Sequence, residues 1–163
     1  MVDVRAEEGL LVGLVLLYTF CATMTDILVN TAAYALFLTA FDAQLLPYIY
    51  IGVSIGSVLI STLYLQLSRR YSLAQLLFVM HLFLLLTLIG YRVGLGLTAA
   101  RWLLFSLPIW HGVLSILLYL AFWNLVGRLF NLQQGKRLFG LFGAGQQVAN
   151  LSIGLLIPTL VMG

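Results

Sequence analysis

The chain has 163 residues, of which 63% are apolar and 8% are charged, whereas soluble domains are about half apolar and about a quarter charged. A soluble domain of this size would carry roughly 40 charged side chains at that average. This chain has 8 basic and 5 acidic residues. The deficit excludes a soluble globular fold and predicts that much of the surface lies against lipid. The basic residues form no dense face, so no nucleic-acid partner is predicted.

The charges divide the chain into apolar runs that can be compared with the ~20 residues that a membrane-spanning helix needs. We predict five spanning helices in chain order, at about residues 9–41, 46–68, 72–91, 102–127 and 138–162. Only Asp26 interrupts the first run, so we predict one long helix there, because no nearby Pro or Gly would break it. Two short re-entrant segments that meet at Asp26 are the alternative. The fold prediction is an all-α, polytopic membrane protein with a single transmembrane helical domain over residues 1–163.

The distribution of Lys and Arg predicts the orientation, since the cytoplasmic side carries the excess of basic residues. With a cytoplasmic N-terminus, the outer side holds only Arg92 and Arg101. The cytoplasmic side then holds Arg5, Arg69, Arg70, Arg128, Lys136 and Arg137. We therefore predict a multi-pass protein of the plasma or inner membrane whose N-terminus is cytoplasmic.

Polar residues inside the first predicted helix form a stripe. Thr19, Thr23, Asp26 and Asn30 follow at spacings of four, three and four, which places them on one face. An ionised carboxylate at this depth costs about 2.5 to 3.5 kcal/mol, so Asp26 needs a partner, a proton or a water-filled cavity. Asp26 and Asn30 are candidate contacts for a substrate or coupling ion. The alternative is a neutral Asp26 that hydrogen-bonds a neighbouring helix.

The second predicted helix carries small residues at similar spacings. Gly52 and Gly56 form a small-xxx-small pair, and a series of serines and one tyrosine follows the same alternation of three and four, namely Ser54, Ser57, Ser61, Tyr64 and Ser68. Small residues let two helix backbones approach closely, and serines in membrane helices can bond their own backbone. We therefore predict close helix packing here in preference to substrate contact.

Two later helices carry further candidates. In the fourth predicted helix, His111 precedes Ser115 and Tyr119 at spacings of four, just after a predicted kink at Pro108. His111 is either a proton-linked residue or a hydrogen-bonded packing residue. In the fifth, one face carries Gly140, Gly143, Gln147, Asn150 and Gly154. The two amides suit either a polar ligand or hydrogen bonds between helices.

Several classes of site are not predicted. His81 and His111 lie on different predicted helices, and Cys21 is the single cysteine, so neither a metal site nor a disulfide is expected. The loops bring together no nucleophile, base and orienting acid, so an enzyme is not predicted. No cofactor is expected either.

Two groups of motifs carry a resemblance to a known family. The first is residues 25–29 (TDILV) with residues 46–47 (LP), and the second is residues 122–124 (FWN), 134–139 (QGKRLF) and 141–143 (LFG). They are similar to the first helix, and to the segment joining helices four and five, of the nucleotide transporter family. This family comprises the ATP/ADP translocases of plastids and intracellular bacteria, which are distant relatives of the major facilitator superfamily.

The resemblance implies a major-facilitator-like fold, in which five helices make up most of a six-helix N-terminal half of a longer transporter. Residues 69–71 (RRY) also resemble, in degenerate form, the basic loop that gates the cytoplasmic side of such proteins. The candidates for such gating are Arg69, Arg70, Lys136 and Arg137. The alternative is that these cations only set the orientation.

The leading functional hypothesis is transport or exchange of a nucleotide or another polar or anionic metabolite by alternating access. The expected substrate-binding residues are Asp26, Asn30, His111, Gln147 and Asn150. The expected partners are the lipid bilayer, this small-molecule substrate, and either other membrane subunits or a C-terminal half. However, Thr25 stands where the family has a lysine, and phosphate groups need fixed cations. The alternative hypothesis is therefore a non-transporting anchor or assembly subunit of a membrane complex, built on a degenerate transporter scaffold.

Overall fold

The computed structural model describes residues 9–97, 100–130 and 132–162, apart from the side chains of 132–137, 139, 142 and 156–162. Regular structure in this part of the chain is entirely helical, which confirms the all-α prediction. The helices are α1 (Gly9–Ala40), α2 (Leu46–Ser68), α3 (Leu73–Leu97), α4 (Arg101–Leu129) and α5 (Leu132–Met162). A 3-10 turn over Ala43–Leu45 leads into α2.

Four helical segments are long and apolar enough to cross a membrane: Gly9–Ala40, Ala43–Ser68, Leu73–Leu97 and Arg101–Leu129. The protein is therefore a multi-pass membrane protein, as its composition predicted. Its helices suit this setting, because a helix satisfies the backbone N–H and C=O groups of a chain that has no water around it.

The helix ends differ in places from the predicted ones. Helix α1 runs without a break through Asp26, so the alternative of two re-entrant segments is wrong. Helix α3 continues past Arg92 to Leu97, and α5 begins at Leu132. Lys136 and Arg137 were predicted to lie in the loop before the fifth helix, and this prediction is wrong, because both residues lie within α5. The reason is that a charge marks a boundary of the lipid, whereas intrahelical hydrogen bonds continue into the more polar interface.

Local sequence signals begin α2 and α3. Asp42 Oδ1 accepts a hydrogen bond of 3.1 Å from Gln44 N, and Pro47 lies in the first turn of α2, where it removes no helical hydrogen bond. Before α3, Ser72 N donates to Gln75 Oε1 at 3.2 Å and Gln75 N donates to Ser72 Oγ at 3.4 Å. This reciprocal pair is a capping box, so the α2–α3 turn is a short and well-bonded connection.

The described residues belong to two compact units, each of which is treated by itself. Unit 1 contains the described parts of Met1–Val29 and Val126–Gly163, and unit 2 is Asn30–Leu125, again without residues 98 and 99. In unit 2, α4 packs against both α2 and α3. Its apolar core is a cluster of six buried residues from these helices: Tyr64, Leu76, Met80, Leu114, Leu117 and Ala121.

Glycines bring α2 and α4 close together in unit 2. A Cβ atom placed on Gly52 would lie 2.9 Å from a side-chain carbon of Ile109, and one on Gly56 would lie 2.6 Å from a methyl group of Val113. From the other side, a Cβ on Gly112 would lie 2.8 and 2.9 Å from the two methyl groups of Val53. The predicted packing role of Gly52 and Gly56 is confirmed, and Gly112 is its counterpart on α4.

We expect Gly112→Ala to destabilise unit 2, because its new methyl group would meet both methyl groups of the stiff Val53 side chain. Gly90→Ala in α3 is the matched control, since a Cβ there has no described atom within 4 Å. Both changes gain the same helix propensity, so their difference isolates the packing cost, about 1–3 kcal/mol. Unfolding by a denaturing detergent measures it, and equal stability of the two variants would contradict the close contact.

Candidate functional site

Asp26 lies near the middle of α1. It is the eighteenth of the 32 residues of this helix, or ~26 Å from its start at 1.5 Å per residue, and its side chain is half-buried. Two threonine hydroxyl groups on the same helix bond to their own backbone: Thr19 Oγ1 donates to Val15 O at 2.7 Å and Thr25 Oγ1 donates to Cys21 O at 2.9 Å. Asp26 is therefore the charged member of the predicted stripe, in which the hydroxyl group of Thr19 is bonded within the helix, as is that of the adjacent Thr25.

Gln147 and Asn150 contact each other in unit 1. Asn150 Nδ2 donates to Gln147 Oε1 at 3.4 Å, and both side chains are exposed. A Cβ placed on Gly140, Gly143 or Gly154 would meet no described atom within 4 Å, whereas one on Gly145 would lie 3.2 Å from Leu16. The predicted polar face of α5 is therefore open among the described residues, and the close approach to α1 occurs at Gly145, which the spacing argument missed.

Asn30 and His111 belong to unit 2. Asn30 is exposed, whereas His111 is buried and its Nε2 lies 3.3 Å from Ser115 Oγ, one turn later on α4. Gln147 and Asn150 thus form a hydrogen-bonded pair in one unit, while Asn30 and His111 fall in the other. The prediction that all five candidate residues line one cavity stays a prediction.

Two serines of the polar stripe of α2 bond within their own helix. Ser54 Oγ donates to Tyr50 O at 2.8 Å and Ser68 Oγ donates to Leu65 O at 2.9 Å. Ser57 is buried beside Gly56, and its hydroxyl has no hydrogen-bond partner among the described residues. A small, buried side chain in a close helix contact agrees with the predicted packing role of this stripe.

Two hydrogen bonds between helices were not predicted. Asn124 Nδ2 of α4 donates to Tyr64 Oη of α2 at 2.9 Å, and Tyr64 is almost fully buried. The hydroxyl groups of Tyr91 in α3 and Ser106 in α4 lie 3.0 Å apart. The position of Tyr64 in the α2 stripe was the available signal, but the sequence did not identify its partner.

The candidate gating residues lie at two places. Arg69 and Arg70 follow α2 and are exposed, and Arg70 N donates to Leu67 O at 2.9 Å in the turn. The side chains of Lys136 and Arg137 lie outside the described residues. The part of the chain that is described contains no group of three or more His, Cys, Asp or Glu side chains that could hold a metal ion.

We expect the hydrogen bond between Tyr64 and Asn124 to stabilise unit 2. In a double-mutant cycle of Tyr64→Phe and Asn124→Ala, the coupling energy should be about 0.6 kcal/mol and at most about 1.7 kcal/mol, the range measured between membrane helices. Tyr64→Phe combined with Ser106→Ala is the control and should be additive, since Ser106 bonds Tyr91 instead. Detergent-induced unfolding gives both energies, and additivity in the first cycle would show that the bond contributes nothing.

Comparisons of the chain with protein-family models, with curated proteins and with solved structures gave no significant match. The resemblance to nucleotide transporters therefore rests on the sequence motifs given above.

Proposed function

We propose that this protein belongs to a membrane transporter that moves a polar or anionic metabolite. The observation that carries the proposal is Asp26, a half-buried carboxylate near the middle of a 32-residue apolar helix. Ionisable groups at membrane depth are costly, and they are typical of substrate pathways, ion-coupling sites and proton relays. Asp26 is accordingly the residue that we assign to substrate or ion contact.

Further polar groups support this assignment. Asn30 lies one turn after Asp26 on α1, the exposed amides of Gln147 and Asn150 lie in unit 1, and His111 is buried in unit 2. Amides and imidazoles donate and accept hydrogen bonds, as a polar metabolite requires. In the proposed transporter, α5 is a fifth spanning helix, the N-terminus is cytoplasmic, and the five helices belong to a major-facilitator-like half that works by alternating access. Nucleotides are the substrate class that the motif resemblance implies.

We expect Asp26→Asn to reduce transport. The protein is reconstituted in liposomes, and the uptake and exchange of labelled ATP, ADP, inorganic phosphate and small organic anions are measured. The variant keeps the size of the side chain but removes its charge, so uptake of the transported compound should fall by about tenfold or more, which corresponds to ~1.4 kcal/mol.

The matched control for this experiment is Asp42→Asn. Asp42 is exposed, and its oxygen accepts a backbone hydrogen bond before α2, a role that Asn also performs. This variant should transport as the unchanged protein does. If the unchanged protein moves none of the labelled compounds, the transporter proposal fails. If Asp26→Asn transports normally, the assignment of Asp26 fails.

A non-transporting anchor or assembly subunit is the second candidate function. It is favoured by Thr25, whose hydroxyl bonds the carbonyl of Cys21 at 2.9 Å, where the resembled family has a lysine that would attract phosphate. Under this hypothesis the protein leaves the membrane in mild detergent with partner subunits in fixed stoichiometry and gives no uptake. Purification as a free protein that transports would exclude it.

A further inference from the structure

A cavity of about 350 Å³ lies between α2 and α3 in unit 2. Leucine, isoleucine, valine and methionine side chains form most of its wall, and Leu117 of α4 contributes to it. Tyr64 also lines the cavity, and its hydroxyl group is bonded to Asn124. The volume lies at the lower end of the range for small-molecule pockets, and the wall suits a hydrocarbon chain.

The cavity reaches the turn between α2 and α3, where Tyr71 and Gln75 line it. The capping box fixes the side chain of Gln75 against Ser72. Arg70 N and Tyr71 N both donate to Leu67 O, at 2.9 and 3.0 Å. The turn is therefore tight, and it holds residues 69 and 70 next to the end of the cavity.

The charge at this end of the cavity is positive, and no described carboxylate of unit 2 lies near it. Arg69 and Arg70 are exposed, and no Asp or Glu follows Asp42 in the sequence. Asp42 itself precedes α2, whose 23 residues separate it from the turn by ~35 Å. The first N–H groups of α3 add a partial positive charge at the same place. An apolar cavity with two cations at its end, which no described carboxylate of unit 2 compensates, complements an anionic amphiphile.

We propose that this cavity and the pair Arg69 and Arg70 form a binding site for an anionic phospholipid. One acyl chain lies in the cavity between α2 and α3, and the phosphate accepts hydrogen bonds from the arginine side chains. Tyr71, an exposed aromatic residue at the turn, lies at the depth where tyrosines contact lipid headgroups. Basic sites between membrane helices bind anionic headgroups by the same chemistry.

Native mass spectrometry of the protein in detergent tests this proposal with phosphatidylglycerol and phosphatidylcholine of identical acyl chains. We expect phosphatidylglycerol to bind more tightly, and the double change Arg69→Gln and Arg70→Gln to weaken its binding by about tenfold or more, since each basic residue near an anionic lipid contributes several-fold. The control is Arg92→Gln with Arg101→Gln, which removes the same charge at other exposed positions and should leave the affinity unchanged.

A second pair of variants tests the cavity without altering its charge. Val79 lines the cavity and is exposed, whereas Val93 is an exposed valine of α3 that does not line it. Val79→Trp should displace the acyl chain and weaken binding of both lipids, and Val93→Trp should not. Circular dichroism and gel filtration verify that every variant is folded.

Three results would overturn the proposal. The first is equal affinity for the two lipids, and the second is an equal loss of affinity in the Arg92 and Arg101 control, which would indicate attraction by net charge alone. The third is displacement of phosphatidylglycerol by inorganic phosphate with no effect of Val79→Trp, which would indicate a free anion site without an acyl chain.

Discussion

The structure depends on one constraint, which is that a chain surrounded by lipid must satisfy its polar groups internally. The backbone does so in five long helices, and several side-chain hydroxyls do so as well. Thr19, Ser54 and Thr62 each donate to a carbonyl four residues earlier on their own helix. A hydroxyl bonded in this way needs no partner on another helix. Helix association in unit 2 therefore depends on close packing and on a small number of bonds between helices.

Helix α4 combines both kinds of contact in unit 2. Gly52, Gly56 and Gly112 allow α4 to pack closely against α2. Because lipid tails are as apolar as the side chains, this contact is stabilised by van der Waals packing and not by the hydrophobic effect. Further along the same pair of helices, Asn124 bonds Tyr64. The residue numbers of the contacting pairs increase together, from 52 with 109 to 64 with 124, so α2 and α4 run parallel. Toward α3, the pairs 91 with 106 and 94 with 103 run in opposite directions along the two helices, so α3 and α4 are antiparallel.

The sequence predicted the helices better than their ends and their partners. Long apolar runs predict spanning helices because lipid requires them. The predicted end of α3 before Arg92 was wrong, because an arginine can remain helical while its side chain reaches the interface. Gly52 and Gly56 were recognised by their spacing. Their partners on α4 were not, because periodicity shows which residues share a face and does not show which helix packs against it. The same limit hid the partner of Tyr64. The shared face of Gln147 and Asn150 was predicted from their spacing, but the hydrogen bond between them was not.

The two described carboxylates, Asp26 and Asp42, differ in whether unbonded backbone N–H groups lie beside them. Asp42 precedes a helix, where backbone N–H groups have no helical partner, so its oxygen supplies a missing acceptor to Gln44 N. Asp26 lies inside α1, where the backbone N–H groups are used by the helix itself, so a carboxylate adds no cap there. An amide or a hydroxyl would offer hydrogen bonds at that depth without a charge. The charge of Asp26 therefore has a cost that the α1 backbone does not offset, and this difference from Asp42 supports the proposal that Asp26 has a functional role.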